Sequence, residues 1–494
     1  MTEFEKITSM RYLKESSSHS GIGQRTYGLQ FVMFLLLSIV FPIILFYSVN
    51  PGALQPIQLT LRCLIILYSG WMLALLLARG ETKWFATMFW TFCFVWMGIA
   101  GMAQTFSGRD SYAQVIDPTI DTKNSFLILC GMIGWHFLYN ISTREKQTRD
   151  GSKLLLTNLK FVSRRRVLTV FWIAIVLTPL LLAYLGDFQF FLKSRIETAS
   201  GLSDLGNGSS LALQGIIVAL IQVPPAIALF GVTLLLQESP ELRRRPAWWV
   251  TSALILALNF LVNNPIGVSR FWFGTVIIGW ILCWRIFRTV RGYRLAVIAL
   301  VATLTIIFPY ADYFRTPDAN VEVVAPYEFL AKKLDYDASA QVSNAIRTYE
   351  TNGPAYGHQL LGAIGFAVPR SVWPDKAEPT GVVIAQAINF HFENLSAPLW
   401  AEGYVDFGPI GAPLYPALFG ILAGVGDRLH RVAVRSGGAR VSLIATPALA
   451  LYSLILIRGS LLGTVAQGVI LAVAFHFLGT REAGHQGSGK AGKR

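Results

Sequence analysis

Apolar stretches of about 20 residues recur along the chain, near 28–48, 58–78, 84–105, 125–142, 167–185, 211–236, 247–263, 270–287, 294–310, 409–425, 442–458 and 462–479. A helix of that length crosses the hydrocarbon core of a bilayer, whereas an isolated strand or loop would leave backbone polar groups unsatisfied in lipid. The pattern therefore predicts an all-α fold, a polytopic membrane bundle of about 12 transmembrane helices. Most connections are short, but 311–408 runs to roughly a hundred residues, and connections of that length usually serve a function. Within it, PYEFLAKKLDYDASAQVSNAIRTYE (326–350) sets Leu330, Leu334, Ala338, Val342 and Ala345 at near-helical spacing, which predicts an amphipathic helix on or near the membrane. GHQLLGAIGFAVP (357–369) is apolar but too short to span, so a re-entrant or interfacial helix stopped by Pro369 is expected. VVIAQAINFHF (382–392) reads as another short amphipathic piece. The connection is thus expected to form a lid or cavity wall of interfacial helices and not a separate globular domain.

Composition agrees with the pattern. The chain is 53% hydrophobic and 14% charged over 494 residues, against about 25% charged in soluble proteins. A net charge of +14 invites a nucleic-acid reading, but its distribution points elsewhere. With the N-terminus placed in the cytoplasm, the connections on that side hold 29 Lys and Arg and those on the other side hold 10. Such asymmetry is the positive-inside signature and predicts both termini cytoplasmic. The excess charge then reflects topology and contact with anionic membrane lipids, and no nucleic acid is expected. The 311–408 connection carries twelve acids and six bases, so it is acidic where the cytoplasmic face is basic. The expected organisation is a cytoplasmic segment 1–27, spans one to nine over 28–310, the external loop 311–408, spans ten to twelve over 409–479, and a disordered basic tail 480–494. Cys63, Cys93, Cys130 and Cys283 fall within predicted spans, which suggests neither a disulfide framework nor a zinc site. The polar segment 1–27 is too long for the n-region of a cleavable signal peptide. Neither a metal nor a cofactor is expected.

Chemistry-bearing residues concentrate on the predicted external side. AVPRSVWPDKAEPTG (367–381) sets Arg370 and Lys376 around a proline-braced turn. LNFLVNNPIGVSRFWFG (258–274) puts Asn263, Asn264 and Arg270 at the outer mouth of the bundle, where an arginine either faces the interior or snorkels to the interface. Arg315, just past the ninth span, is placed to face the same cavity, and Arg347 lies on the predicted amphipathic helix. Glu402 and Asp406 stand four residues apart, so they share a face if the tenth helix begins early.

With PRSVWPDKAEP preceded by YGHQLLGAIGF and followed by PLWAEGYVDFGPIGA, residues 350–412 resemble the bacterial Wzy-type oligosaccharide repeat-unit polymerases of O-antigen and capsule synthesis. Members carry a proline–arginine turn ending in a lysine within a large external loop, then a Glu-Tyr-Phe-Gly-Gly pattern entering the next span. Glu402, Tyr404, Phe407, Gly408 and Gly411 match the second element. Ala377 stands where a proline is usual, and Glu402 precedes Gly403 instead of following a glycine. The resemblance implies an enzyme of the bacterial cytoplasmic membrane acting on lipid-linked oligosaccharides. It would transfer the growing glycan from undecaprenyl pyrophosphate to an incoming lipid-linked unit on the outer face. A chain-length regulator and a flippase would be its protein partners.

Such a reaction needs cations for the departing pyrophosphate and a group to take the acceptor's proton. On this resemblance Arg370, Lys376, Arg270, Arg347 and Arg315 bind pyrophosphate, and Glu402 or Asp406 serves as the catalytic base. Each has a plainer reading. Arg370 and Lys376 can pair with Asp375 and Glu378, and Arg270 can contact lipid phosphates. Arg347 can line a polar helix face, and either carboxylate can bind Arg370 and hold the loop shut. His358 and His391 keep an O-antigen ligase in view, since ligases bear a histidine in their large loop. A lipid-linked oligosaccharide flippase or other transporter also fits twelve spans, but no internal repeat is evident and the polar cluster lies at the outer surface. GVGDRLHRVAVR (424–435) resembles a major-facilitator loop in the wrong place in the chain.

Overall fold

The structure is a computed structural model that describes residues 19–47, 49, 55–144, 159–185, 211–307, 325–393 and 395–481. Every predicted apolar stretch is helical there. Among the described residues, eight helices are long and apolar enough to cross a bilayer, including Pro56–Arg79, Trp84–Ser107, Pro118–Thr143 and Leu399–Ser436. Pro246–Val262, Arg270–Leu282 and Ser442–Arg458 are apolar but shorter. The ninth stretch forms Val290–Ala302 and a π-turn at Thr303–Ile307. The protein is an all-α membrane protein by these measures; among the described residues the only ladder pairs Phe161–Val162 with Gly479–Thr480.

Connections sort to two ends of the bundle. At one end Arg294 donates to the carbonyls of Leu77 and Ala78 (both 2.7 Å), Arg431 to Thr143 (2.9 Å), and Arg166 to Gly479 (2.6 Å). At the other, Trp96 donates to the Asp335 carbonyl (2.7 Å), Gln104 to Tyr336 (3.1 Å), and Arg458 to Asp337 (2.9 Å). The arginine-rich connections thus meet at one, basic end, and described parts of 311–408 meet at the other, loop end.

The long connection differs from expectation in two respects. The 326–350 segment is not one helix but Pro326–Lys332, a 3-10 turn at Leu334–Tyr336, and Ala338–Asn352. Lys333 breaks it by taking an extended conformation (φ −85°, ψ 134°). Nor does Ala338–Asn352 lie as an amphipathic helix with a wet face, because Gln341, Asn344 and Thr348 are as buried as Val342, Ala345 and Ile346. Its polar side meets other polar groups: Asn124 donates to the Ser339 carbonyl and the Ser343 hydroxyl (both 2.9 Å). The two remaining pieces are shorter than predicted, at His358–Ile364 and Thr380–Ala387. The first ends at Gly365, ahead of Pro369.

The tenth apolar stretch starts early, as part of the Leu399–Ser436 helix. That helix breaks at Phe407 (φ −133°) and Gly408 (φ 63°, ψ −144°). Gly408 supplies the positive φ that side chains resist, and Pro409 disfavours helical geometry in the residue before it. The break brings Gly403 and Gly411 together: a Cβ on Gly411 would lie 1.9 Å from the Gly403 carbonyl oxygen. Below it, the core is aromatic, with Phe89 stacked on Trp135 at 4.0 Å and Trp135 on Tyr139 at 4.5 Å.

Candidate functional site

Three carboxylates of the Leu399–Ser436 helix accept amides from the starts of three other helices. Glu402 accepts from the Leu461 amide (2.7 Å) and the Thr380 hydroxyl (2.5 Å). Asp406 accepts from the amides of Gln359 and Leu360 (both 3.0 Å) and from the Tyr415 hydroxyl (2.5 Å). Asp427, at the basic end, accepts from the amides of Phe85 (3.0 Å) and Ala86 (3.1 Å) and from the Tyr139 hydroxyl (2.8 Å). First-turn amides of a helix lack intrahelical partners, and an anion there also meets the positive end of the dipole. These carboxylates are therefore caps supplied from a distance.

The expected catalytic pair is thus buried, with Glu402 1% and Asp406 0% exposed; apart from the Tyr415 bond, which stays within the Leu399–Ser436 helix, the side-chain bonds described for it tie 357–381 or Leu461 to the tenth span. Both hold the loop shut, but through Thr380 and backbone amides and not through Arg370. The early helix start does put them one turn apart on a shared segment.

Arg370 and Lys376 lie together and knit their own turn. Arg370 donates to the carbonyls of Lys376 (2.9 Å) and Ala377 (3.1 Å) and pairs with Glu378 at 2.8 Å. Lys376, 5% exposed, donates to the carbonyls of Phe366 (2.8 Å) and Val368 (3.0 Å). Burial, then the charge of Arg370, lowers the Lys376 pKa below its ordinary value. Trp373 packs against Gly365 and the His358 ring. His391 is exposed beside Phe390.

The other cations stand elsewhere in the loop layer. Arg270 pairs with Asp335 at 3.3 Å, close to Arg458, which bonds Asp337 and the Leu334 carbonyl and lies 5.2 Å from the Phe271 ring. Asp337 also accepts from Tyr112 (2.5 Å) and Ser396 (2.8 Å). Arg347 donates to Gln114 (2.7 Å) and to Asn344 (3.1 Å). One turn, residues 110–114, joins the two groups, because Tyr112 reaches Asp337 and Gln114 reaches Arg347. Burial raises the pKa of Asp110 in that turn, against the amides of Gln114 and Tyr112 and the charge of Arg347. Arg315 lies outside the described residues.

Sequence reading missed the pair at the centre of this end. Arg62, 2% exposed, bonds Asp121, Thr105 (3.2 Å), Ser339 (2.8 Å) and the Met97 carbonyl (3.3 Å). Asp121 also accepts from Gln58 (3.0 Å). The signal was present: a charge inside an apolar run is expensive and calls for an opposite partner, and Asp121 opens another apolar helix. No protein-family model, no curated protein and no solved structure matches this chain.

Proposed function

We propose that the chain is a membrane glycosyltransferase that polymerises lipid-linked oligosaccharide repeat units. The growing glycan passes from undecaprenyl pyrophosphate to an incoming lipid-linked unit on the outer face of a bacterial cytoplasmic membrane. On this reading the bundle has twelve spans, 311–408 is external and both termini are cytoplasmic.

The observation that carries the reading is the docking of the two sequence elements behind the resemblance. The proline–arginine turn and the segment entering the tenth span are separate elements of the chain, and Glu402 and Asp406 of the second fasten Thr380, Gln359 and Leu360 around the first. Function as one unit is what a shared site requires. Within it, Arg370 is the partly open cation, its side chain 38% exposed. An arginine fork meets two phosphate oxygens at once, which suits a pyrophosphate leaving group. Lys376 serves by holding the Arg370 turn, and Arg270 and Arg347 add positive charge along the same layer. Glu402 and Asp406 fit a positioning role better than that of a free base, because their oxygens are already occupied.

The test is genetic and biochemical. In a strain lacking this chain, lipid-linked single units should accumulate on the outer leaflet, and complementation should restore a ladder of long glycans on gels. Arg370→Ala and Arg270→Ala should insert normally yet leave single units. Long-chain ladders in both variants would remove the pyrophosphate contact, and accumulation on the inner leaflet would show transport instead.

A further inference from the structure

A wide opening lies away from the motif residues, between the first three membrane helices. Leu36–Val40 is a π-turn, and Pro42 follows it. At Ser38 the first helix crosses the second at closest approach: a Cβ on Gly70 would sit 1.9 Å from the Ser38 hydroxyl. Toward the loop end the helices part. They leave a groove of about 420 Å³ whose walls include Pro42, Phe46, Leu59, Ile66 and Phe106. Its walls lie between bundle helices and are apolar apart from the hydroxyls of Ser38 and Tyr47 and the Cys63 thiol, so a chain of hydrocarbon is the occupant they suit.

Next to the groove lies a second, polar opening. Phe106 lines the groove and the next residue, Ser107, lines a pocket of about 250 Å³ with Arg109, Asp110 and Lys332. The Pro326–Lys332 helix packs against both Phe41–Phe46 and Gly101–Ser107, which sets Lys332 over the junction. Arg109 and Lys332 are exposed, and their present partners are weak: the Ala113 carbonyl for one, an i,i+4 pair with Glu328 at 2.9 Å for the other. Asp110 is turned into its own loop, where its carboxylate accepts from the amides of Tyr112 and Gln114 (both 2.9 Å).

We infer that this groove and pocket together bind a polyprenyl diphosphate, with the prenyl chain along Leu59, Ile66 and Phe106 and the diphosphate between Arg109 and Lys332. The choice of a polyprenyl carrier over an ordinary phospholipid rests on the proposed function; the tail-and-anion chemistry rests on the two openings. The site is distinct from the Arg370 turn, and it gives the lipid a place to enter sideways from the bilayer.

The experiment uses the full chain in phosphatidylcholine nanodiscs with a diazirine-bearing polyprenyl diphosphate, the adducts being mapped by mass spectrometry. Adducts should fall on residues 38–47, 59–67 and 102–109. Ile66→Trp should abolish them, while Ile133→Trp, on the lipid-facing side of another helix, should not, which separates a filled groove from a misfolded protein. Arg109→Gln with Lys332→Gln should raise the half-labelling concentration about thirtyfold, from two near-surface cations. Adducts confined to the Arg370 turn, or equal competition by phosphatidylglycerol, would overturn the inference. Groove labelling without glycan polymerisation in cells would leave the site standing and remove the proposed function. Polymerisation without groove labelling would do the reverse.

Discussion

Replacing Asp406 separates a capping carboxylate from a catalytic one. In the structure its two oxygens accept from the amides of Gln359 and Leu360 and from the Tyr415 hydroxyl, and the residue has no solvent exposure. Alanine removes all three acceptor contacts. Loss of an N-cap acceptor costs about 0.5–2 kcal/mol, and each buried donor left without a partner about 1–3 kcal/mol. Some of that loss is recovered by entering water, so about 3 kcal/mol is a reasonable figure for Asp406→Ala, and about 1 kcal/mol for Asp406→Asn, which keeps one acceptor oxygen. Amide exchange of 357–364 in nanodiscs reads this directly, because the segment opens locally before the bundle does. Protection there should fall about a hundredfold in the alanine variant and less than tenfold in the asparagine variant. Glycan synthesis should follow the same order. The capping argument fails if both variants lose glycan synthesis equally while exchange at 357–364 stays unchanged, since that pattern belongs to a group acting on substrate.

Two further substitutions test the frame around the site. Gly411→Ala sets a methyl against the Gly403 carbonyl oxygen, where backbone must yield, so it should cost about 1–3 kcal/mol or more; Gly463→Ala, with open space around its Cβ, should be harmless, and thermal midpoints of the two purified variants check the contrast. Arg62→Met should cost about 3–5 kcal/mol by stranding the buried Asp121, and adding Asp121→Leu should recover more than half of the lost thermal stability.

The apolar helices were legible because lipid imposes one rule on every residue that faces it, and a run of apolar side chains meets that rule without help from distant sequence. The sorting of connections into two ends was legible for a related reason, since arginine and lysine mark one end wherever they fall in the chain. The loop was harder. Periodicity at Leu330, Leu334 and Val342 shows which side of a helix is apolar, but it assumes that the other side meets water. Ser339 meets Arg62 and Asn124 of other helices instead, Gln341 donates to Tyr112 of a distant turn, and Asn344 accepts from Arg347 of its own helix; none of this can be known until Asn124, Arg62 and Tyr112 are placed. The carboxylates pose the same problem more sharply. Glu402 and Asp406 look alike as caps and as bases, because the amides that decide between the roles lie 59 and 47 residues away.

Placing those caps on one helix has a mechanical consequence. Asp427 fixes the start of Trp84–Ser107 at the basic end, while Glu402 fixes the start of Leu461–Leu478 and Asp406 the start of His358–Ile364 at the loop end. Between the two ends stands the break at Phe407–Gly408, one residue beyond Asp406. Glu402 and Asp406 therefore belong to a short helical piece that carries the Arg370 turn, and this piece is joined to the span below only through a glycine of positive φ and a proline. Tyr415, from below the break, donates to Asp406 and locks the two pieces at one angle. Tyr415→Phe removes that lock and leaves both amide bonds in place. If the turn must hold its cations at a fixed height above the bundle, the phenylalanine variant should keep the exchange protection of 358–364 yet lose glycan length; full-length glycan from it would show that the angle at the break is immaterial to the chemistry.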